Sequence, residues 1–358
     1  KVVFIDELSW MDTPKSGFVS ALEHFWNAWA TARKEHDIVL IVCGSSTSWI
    51  TTKIIYNRGG LHNRLTSSIH LQPFTLAECE NYSKTAGLGF SRTDIANAYM
   101  IFGGVPFYWS LLKRGESLPQ NIDRLFFAKD AKLKNEYREM FASLFKNPAP
   151  YLDVLTILCD KKSGLTREKL AESPKFENDG TLTKILDELD ECGFIRRYHK
   201  IGQEKKDALY QIIDNFVLFH FSFLANKKKT DANFWSKSSN KPLLNSWYGL
   251  AFERLCLQHI EQIKNALGIS GILTDVASWN TKPQKSKKGA QIDLIIDRDD
   301  GVIDICEMKY SKGKFSISKT DYDNIKNKKD VFEHSIKTRK AVQTVLVTSY
   351  GSLHNKYY

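Results

Sequence analysis

The chain has 358 residues, 42% hydrophobic and 26% charged, with a formal net charge of +10, the balance of a globular protein of two or three domains. No apolar run reaches the roughly eighteen residues that a membrane-spanning helix needs, so an integral membrane protein is excluded. The six cysteines (43, 79, 159, 192, 256 and 306) form no CxxC pair, which leaves no readable zinc ribbon or disulfide framework and fits a reducing cytoplasm.

Charge is uneven along the chain. Residues 1–150 carry 17 Lys and Arg against 14 Asp and Glu, residues 151–225 carry 11 against 13, and residues 226–358 carry 23 against 14. The excess of +9 in the last segment points to an anionic polymer as partner, with a solvated, solubilising surface as the competing explanation.

The chain starts at Lys1 with no signal peptide and enters an apolar strand at once, so an upstream segment is expected. Val2-Val3-Phe4-Ile5 and Ile38-Val39-Leu40-Ile41-Val42 are short continuous apolar runs, which predict strands buried on both faces. Between them Phe18, Leu22, Phe25 and Trp29 mark one face of a helix. A third strand is expected at Ile69-His70-Leu71, followed by a helix opened by a capping box from Thr75 to Glu78. Strand, helix, strand at this spacing predicts a parallel α/β sheet. From about Ser91 to Lys146 the pattern is helical, broken at Gly103-Gly104-Val105-Pro106.

Residues 151–225 read differently. Helices are expected over Tyr151–Cys159, Thr166–Glu172 and Thr181–Cys192, the last stopped by Gly193. Strands at Phe194–Ile201 and Leu209–Ile213 then flank a polar turn, which is the winged-helix order. The third helix carries Asp187, Glu188, Asp190 and Glu191 and would face phosphates badly. Arg196, Arg197, Lys200, Lys205 and Lys206 make the wing the basic part, so a structural or protein-contact module is the favoured reading. Phe216, Phe219, Phe221 and Phe223 lack interleaved basic residues and are assigned to packing rather than base stacking. Lys227–Lys229 and Ser236–Lys241 mark a linker. One helix over Trp247–Ile263, a strand Gln291–Asp297, a turn at Asp299-Asp300-Gly301, a strand Val302–Tyr310, a polar helix and a strand Thr344–Thr348 complete the chain.

Two constellations carry chemistry. In the first, the strand Val2–Ile5 ends in Asp6 and Glu7. This segment resembles the Walker B motif of AAA+ ATPases, in which the aspartate meets Mg²⁺ and the glutamate polarises water. The resemblance extends to Ser45 and Ser46 at the position of the polar sensor, to Arg64 at that of an arginine able to face a γ-phosphate, and to Gly103–Pro106 in the helical lid. Residues 1 to about 225 thus resemble the archaeal-type P-loop ATPases of prokaryotes with their winged helix. The printed sequence contains no G-x-x-x-x-G-K-[ST] loop, so ATP is expected only with an upstream segment and is not expected to bind this chain well.

In the second, Asp293 lies on one strand and Glu307 and Lys309 on the next. If the strands pair through the turn at Asp300-Gly301, the three share one sheet face. Two carboxylates and a lysine suit Mg²⁺-dependent phosphodiester hydrolysis, with Asp293 and Glu307 holding the metal and Lys309 orienting water or neutralising charge. The spacing resembles the D-x(n)-E-x-K signature of PD-(D/E)xK nucleases, although the leading proline is absent. In that superfamily a preceding helix often supplies another acid, a place that Glu253 matches. Residues 309–340 hold ten basic against four acidic residues, which suits phosphates beside a metal. No histidine pair has metal-ligand spacing.

The expectation is an α/β protein in four parts: a truncated AAA+ core (1–90), a helical lid (91–150), a winged helix (151–225) and a restriction-endonuclease-like domain (226–358). The expected role is ATP-linked DNA handling in the cytoplasm with Mg²⁺ as cofactor, DNA as partner, no membrane and a homo-oligomer compatible with the resemblance. A scaffold degenerate in both sites is the competing reading.

Overall fold

The computed structural model describes residues 1–31, 38–45, 47–176, 180–202, 208–225, 231–238, 241–281 and 289–357. Ser46, Lys205, Lys206 and Lys227–Lys229 lie outside the described residues. The chain is mixed α/β.

β1 (Val2–Ile5) runs parallel to β2 (Val39–Val42), with Val2 level with Val39 and Phe4 with Ile41. Ile5, Leu40 and Val42 pack on Leu8, Leu22 and Ile54, together with Phe18 of α1 (Phe18–His24) and Ile50 of α2 (Thr47–Ile50). The expectation that both faces are buried fails: Val2, Phe4, Val39 and Ile41 share the outer face and are 46–69% exposed. Helices supply apolar surface to one side of this pair only. The expected strand at Ile69–Leu71 is also corrected. It has no ladder partner, and Ile69 and Leu71 are exposed, because the two-stranded sheet ends at β1 and β2.

The helical segment is α3 (Leu76–Thr85), α4 (Arg92–Phe102), α5 (Pro106–Ser110), α6 (Leu118–Ile122) and α7 (Glu136–Leu144). The capping box at α3 is present: Thr75 N donates to Glu78 Oε2 at 2.7 Å and Glu78 N to Thr75 Oγ1 at 3.3 Å. The glycine break between α4 and α5 has a steric cause. Phe74 N donates to Gly104 O at 2.8 Å, and a Cβ on Gly104 would stand 2.0 Å from Phe74 O.

The middle segment runs α8 (Ala149–Leu158), β3 (Leu165–Thr166), α9 (Arg167–Ala171), α10 (Gly180–Glu191), β4 (Ile195–Tyr198) and β5 (Leu209–Ile212), with sheet order β3-β5-β4. The two-residue β3 has no sequence signal of its own. Phe216, Phe219 and Phe223 of α11 (Asn215–Phe223) are buried against Phe126, Trp235 of α12 (Phe234–Ser238) and Trp247. The expected single helix at Trp247–Ile263 is two, α13 (Pro242–Gln258) and α14 (Ile260–Ala266). His259 breaks it, with its Nε2 accepting from Leu76 N at 3.1 Å.

The C-terminal sheet has the order β6-β7-β8-β10, built from β6 (Thr274–Thr281), β7 (Ala290–Arg298), β8 (Val302–Lys309) and β10 (Ala341–Thr348). β6, β7 and β8 are antiparallel neighbours, and β10 lies parallel to β8. A minor pair, β9 (Phe315–Ser316) and β11 (Ser352–Leu353), flanks α15 (Lys319–Ile336). Alternation divides the side chains. Leu294, Ile296, Cys306 and Met308 join the large core that includes Phe252 and Leu255 of α13, whereas Ile295, Ile303, Ile305 and Val342 pack on Phe332 of α15. Phe332 is fully buried, which contributes about 2–3 kcal/mol and fixes α15 on this face.

Candidate functional site

Gly301, at φ +86°, closes the turn between β7 and β8, and the register sets Leu294 opposite Cys306 and Ile295 opposite Ile305. Asp293 is therefore next in line towards Glu307. A bulge intervenes: Ala277 pairs with Ile295 but Trp279 pairs with Ile292, so β7 spends one residue more than β6. Ile292 and Ile295 consequently both pack in the Phe332 cluster. Asp293, inside the bulge, lines a cleft with Arg196, Tyr198 and Ser278, and its Oδ1 accepts from Gln291 Nε2 at 2.7 Å.

Glu307 stands on the α15 side of β8. Lys309 Nζ lies 3.0 Å from its Oε1 and Lys328 Nζ of α15 lies 2.6 Å from its Oε2. Both carboxylate oxygens are thus held by ammonium groups. Glu253, on α13, is brought near both strands. Burial pushes its carboxyl up to about 7, and the negative charges of Asp293 and, more weakly, Glu307 add to the shift. The next residue, Arg254, is 3% exposed. Its Nη2 donates to Lys162 O at 2.8 Å, and its Nε has no hydrogen-bond partner. Burial lowers the Arg254 guanidinium, while Glu253 and Asp293 pull it back. Burial lowers Arg196 to about 10, with the like charge of Arg254 adding to this and Tyr198 and Asp293 opposing it.

The structure therefore brings Glu253, Asp293, Glu307 and Lys309 into one neighbourhood around the bulge. Among the described residues, no group of three His, Cys, Asp or Glu side chains is gathered closely enough to hold a metal ion. Sequence reading missed Lys328, Arg254 and Arg196 as members of this neighbourhood. Lys328 had a signal: it lies four residues before the buried Phe332, so a lysine occupies the sheet-facing stripe of a helix.

At the other end, Asp6 and Glu7 follow β1 directly. Glu7 is in the left-handed region at φ 48°, and its Oε2 accepts from both Ser45 N (3.2 Å) and Ser45 Oγ (3.0 Å). Cys43 Sγ donates to Asp6 Oδ1 at 2.6 Å, and this hydrogen bond raises the thiol. Asp6, Glu7 and Ser45 thus converge where the two parallel strands end. The side chain of Arg64 is exposed, and its backbone N–H donates to Leu61 O at 3.1 Å.

No family model matches the chain. An uncharacterized protein of Methanocaldococcus jannaschii is 23% identical over 261 residues, which covers 72% of this chain and 56% of that protein. The chain therefore spans little more than half the length of the curated relative it matches. A Walker-type ATPase of Pyrococcus abyssi superposes with a TM-score of 0.42 at 16% identity, covering 61% of each chain.

Proposed function

We propose that the C-terminal segment acts on the phosphodiester backbone of nucleic acid through Glu253, Asp293, Glu307 and Lys309. The observation that carries this reading is the β7–β8 register, which sets Asp293 next in line towards Glu307 while Lys309 and Lys328 clasp Glu307. Three carboxylates of which one is driven up to about 7 by burial and its two neighbours form a hard-oxygen donor set whose repulsion a divalent cation would relieve. The donors fit Mg²⁺ in chemistry, and Glu307 would exchange an ammonium partner for it. When bound, such an ion supplies Lewis-acid stabilisation and a lowered water pKa. Asp293, held by Gln291, and Glu307 would orient it; Glu253 would hold or release a proton near neutral pH; Lys309 and Lys328 would neutralise phosphate charge.

The convergence of Asp6, Glu7 and Ser45 at the ends of two parallel strands supports a Walker B-like role for the N-terminal segment. The helix–strand–helix–helix–hairpin order of residues 149–212 supports a winged helix between the two. On this reading the complete protein couples nucleotide use to DNA handling. A second reading, a nuclease-shaped module that binds without cleaving, is favoured by one observation: both Glu307 oxygens are already occupied by lysines. The deciding experiment incubates linear, plasmid and branched DNA with Mg²⁺ or Mn²⁺ beside Glu307→Ala and Lys309→Ala. Cleavage lost in both variants establishes the hydrolytic reading. Retention in a gel shift without cleavage establishes the binding reading, and neither cleavage nor binding removes both.

A further inference from the structure

The backbone that leaves β4 does not stop at its own sheet. Ile201 N donates to Ser278 O at 2.9 Å and Ser278 N to His199 O at 3.2 Å, so Lys200 bridges in parallel to the outer edge of β6. His199 Nε2 lies 2.9 Å from Asp275 Oδ2 on the same strand. The middle and C-terminal segments are therefore joined by backbone hydrogen bonds, and beside that join runs a cleft lined by Arg196, Tyr198, Lys200, Asn280, Gln291 and Asp293.

The composition of this cleft is directional. Asp293 is the single carboxylate of its lining, at the end nearest Glu253. The β4 side supplies two cations. Arg196 is held in place, with Nε donating to Gln211 Oε1 at 2.7 Å and its guanidinium 4.2 Å from the centre of the Tyr198 ring. Lys200 follows two residues after Tyr198. The amides of Asn280 and Gln291 add neutral donors on the opposite wall, and Arg254 stands nearby with its buried Nε unpartnered. Cations and amide donors beside a carboxylate site suit the phosphates of a chain being led to that site. Phosphate contacts of this kind position a backbone without reading its bases. The acidic α10 is uninvolved: Glu188 accepts from Tyr151 OH and Asp190 from Arg197 N.

We propose that this cleft holds the backbone of a single nucleic-acid strand, with Arg196 and Lys200 of the middle segment as phosphate ligands that deliver the strand to Asp293. A single strand is specified because the walls are hydrogen-bonded to each other at one end, which leaves no width for a duplex. This inference rests on the nucleic-acid reading above and assigns the substrate path for the same site.

The test is fluorescence anisotropy of the full chain with a labelled single-stranded oligonucleotide in EDTA, for the parent, Lys200→Glu and Lys146→Glu, across a salt series. Lys146 is exposed and remote in sequence from the cleft, and serves as the charge control. The expected result is about a tenfold weaker binding for Lys200→Glu, with a salt slope shallower by about 0.7, and little change for Lys146→Glu. A duplex of the same sequence should bind more weakly than the single strand and respond equally to both substitutions. If the parent binds but Lys200→Glu behaves like Lys146→Glu, the cleft assignment is overturned and the nucleic-acid reading survives. Tighter binding of the duplex overturns the single-strand assignment. No binding by the parent overturns both.

Discussion

Lys328 of α15 and Glu307 of β8 form an ion pair at 2.6 Å that joins helix and sheet across the C-terminal segment, and Lys309 takes the other oxygen of Glu307 at 3.0 Å. Glu307 is thus the shared counter-charge of two lysines that are themselves about one-quarter to one-third exposed.

That arrangement makes its members unequal. Glu307→Gln should lower stability by about 1–3 kcal/mol, because two ammonium groups lose their only shared carboxylate. Lys309→Met or Lys328→Met alone should cost less than half as much, since Glu307 keeps one partner. The double lysine variant should exceed the sum of the singles. Thermal denaturation of the four variants measures the coupling.

Glu253 provides a pH dependence with a definite sign. Its folded-state pKa, near 7, is raised above the model value of 4.5, so the folded chain holds a proton that the unfolded chain releases. The stabilisation from that proton is complete below about pH 4.5 and is lost as the pH rises through 7. Glu253→Gln should therefore match the parent near pH 4.5 and be more stable at pH 8, by up to about 3 kcal/mol. Urea denaturation at the two pH values checks this. At pH 6.5, Mn²⁺ binding to the parent should also release a proton, measurable in buffers of different ionisation enthalpy and absent in Glu253→Gln.

The two adjacent glycines before α5 should respond differently. Gly104→Ala puts a methyl group 2.0 Å from Phe74 O and 2.7 Å from Phe74 N, both backbone atoms, and should cost at least about 3 kcal/mol or abolish folding. Gly103→Ala meets no atom within 4 Å but must keep φ +60° and ψ −159°, so it should cost about 1–3 kcal/mol. Expression yield and melting temperature separate the two.

Asp123 ties the helical segment to α12 over a sequence separation of 112 residues. Its Oδ1 accepts from Trp235 N at 2.7 Å and its Oδ2 from Ser236 N at 3.0 Å, and the side chain is 4% exposed. Asp123→Ala leaves both N–H groups without an acceptor and should cost about 2–3 kcal/mol, with Asp123→Asn costing roughly half of that. Hydrogen exchange at Trp235 and Ser236 should accelerate in step with the loss.

Local chemistry was legible in advance. Thr75–Glu78 caps α3, Gly193 follows α10 at φ +74° and Gly301 turns β7 into β8, each through contacts spanning only a few residues. The aromatic run 216–223 was legible as packing, because apolar side chains without adjacent charge gain most from burial. The apolar runs at Val2–Ile5 and Val39–Val42 were legible as strands but not in their environment. Hydrophobicity shows that a face can be buried, and only the neighbouring layers decide whether it is.

The sequence by itself determined the α/β class, most helix ends, the β7–β8 turn and the spacing that sets Asp293 and Glu307 on consecutive strands. Those features depend on backbone preferences and side-chain period within short windows. Only the tertiary structure decided the bulge that carries Asp293 into the cleft, the second lysine on Glu307, the arginines beside Glu253 and the bridge from Lys200 to β6. Each of these joins residues far apart in the chain, and each turns on register and burial, which exist only once the layers have packed.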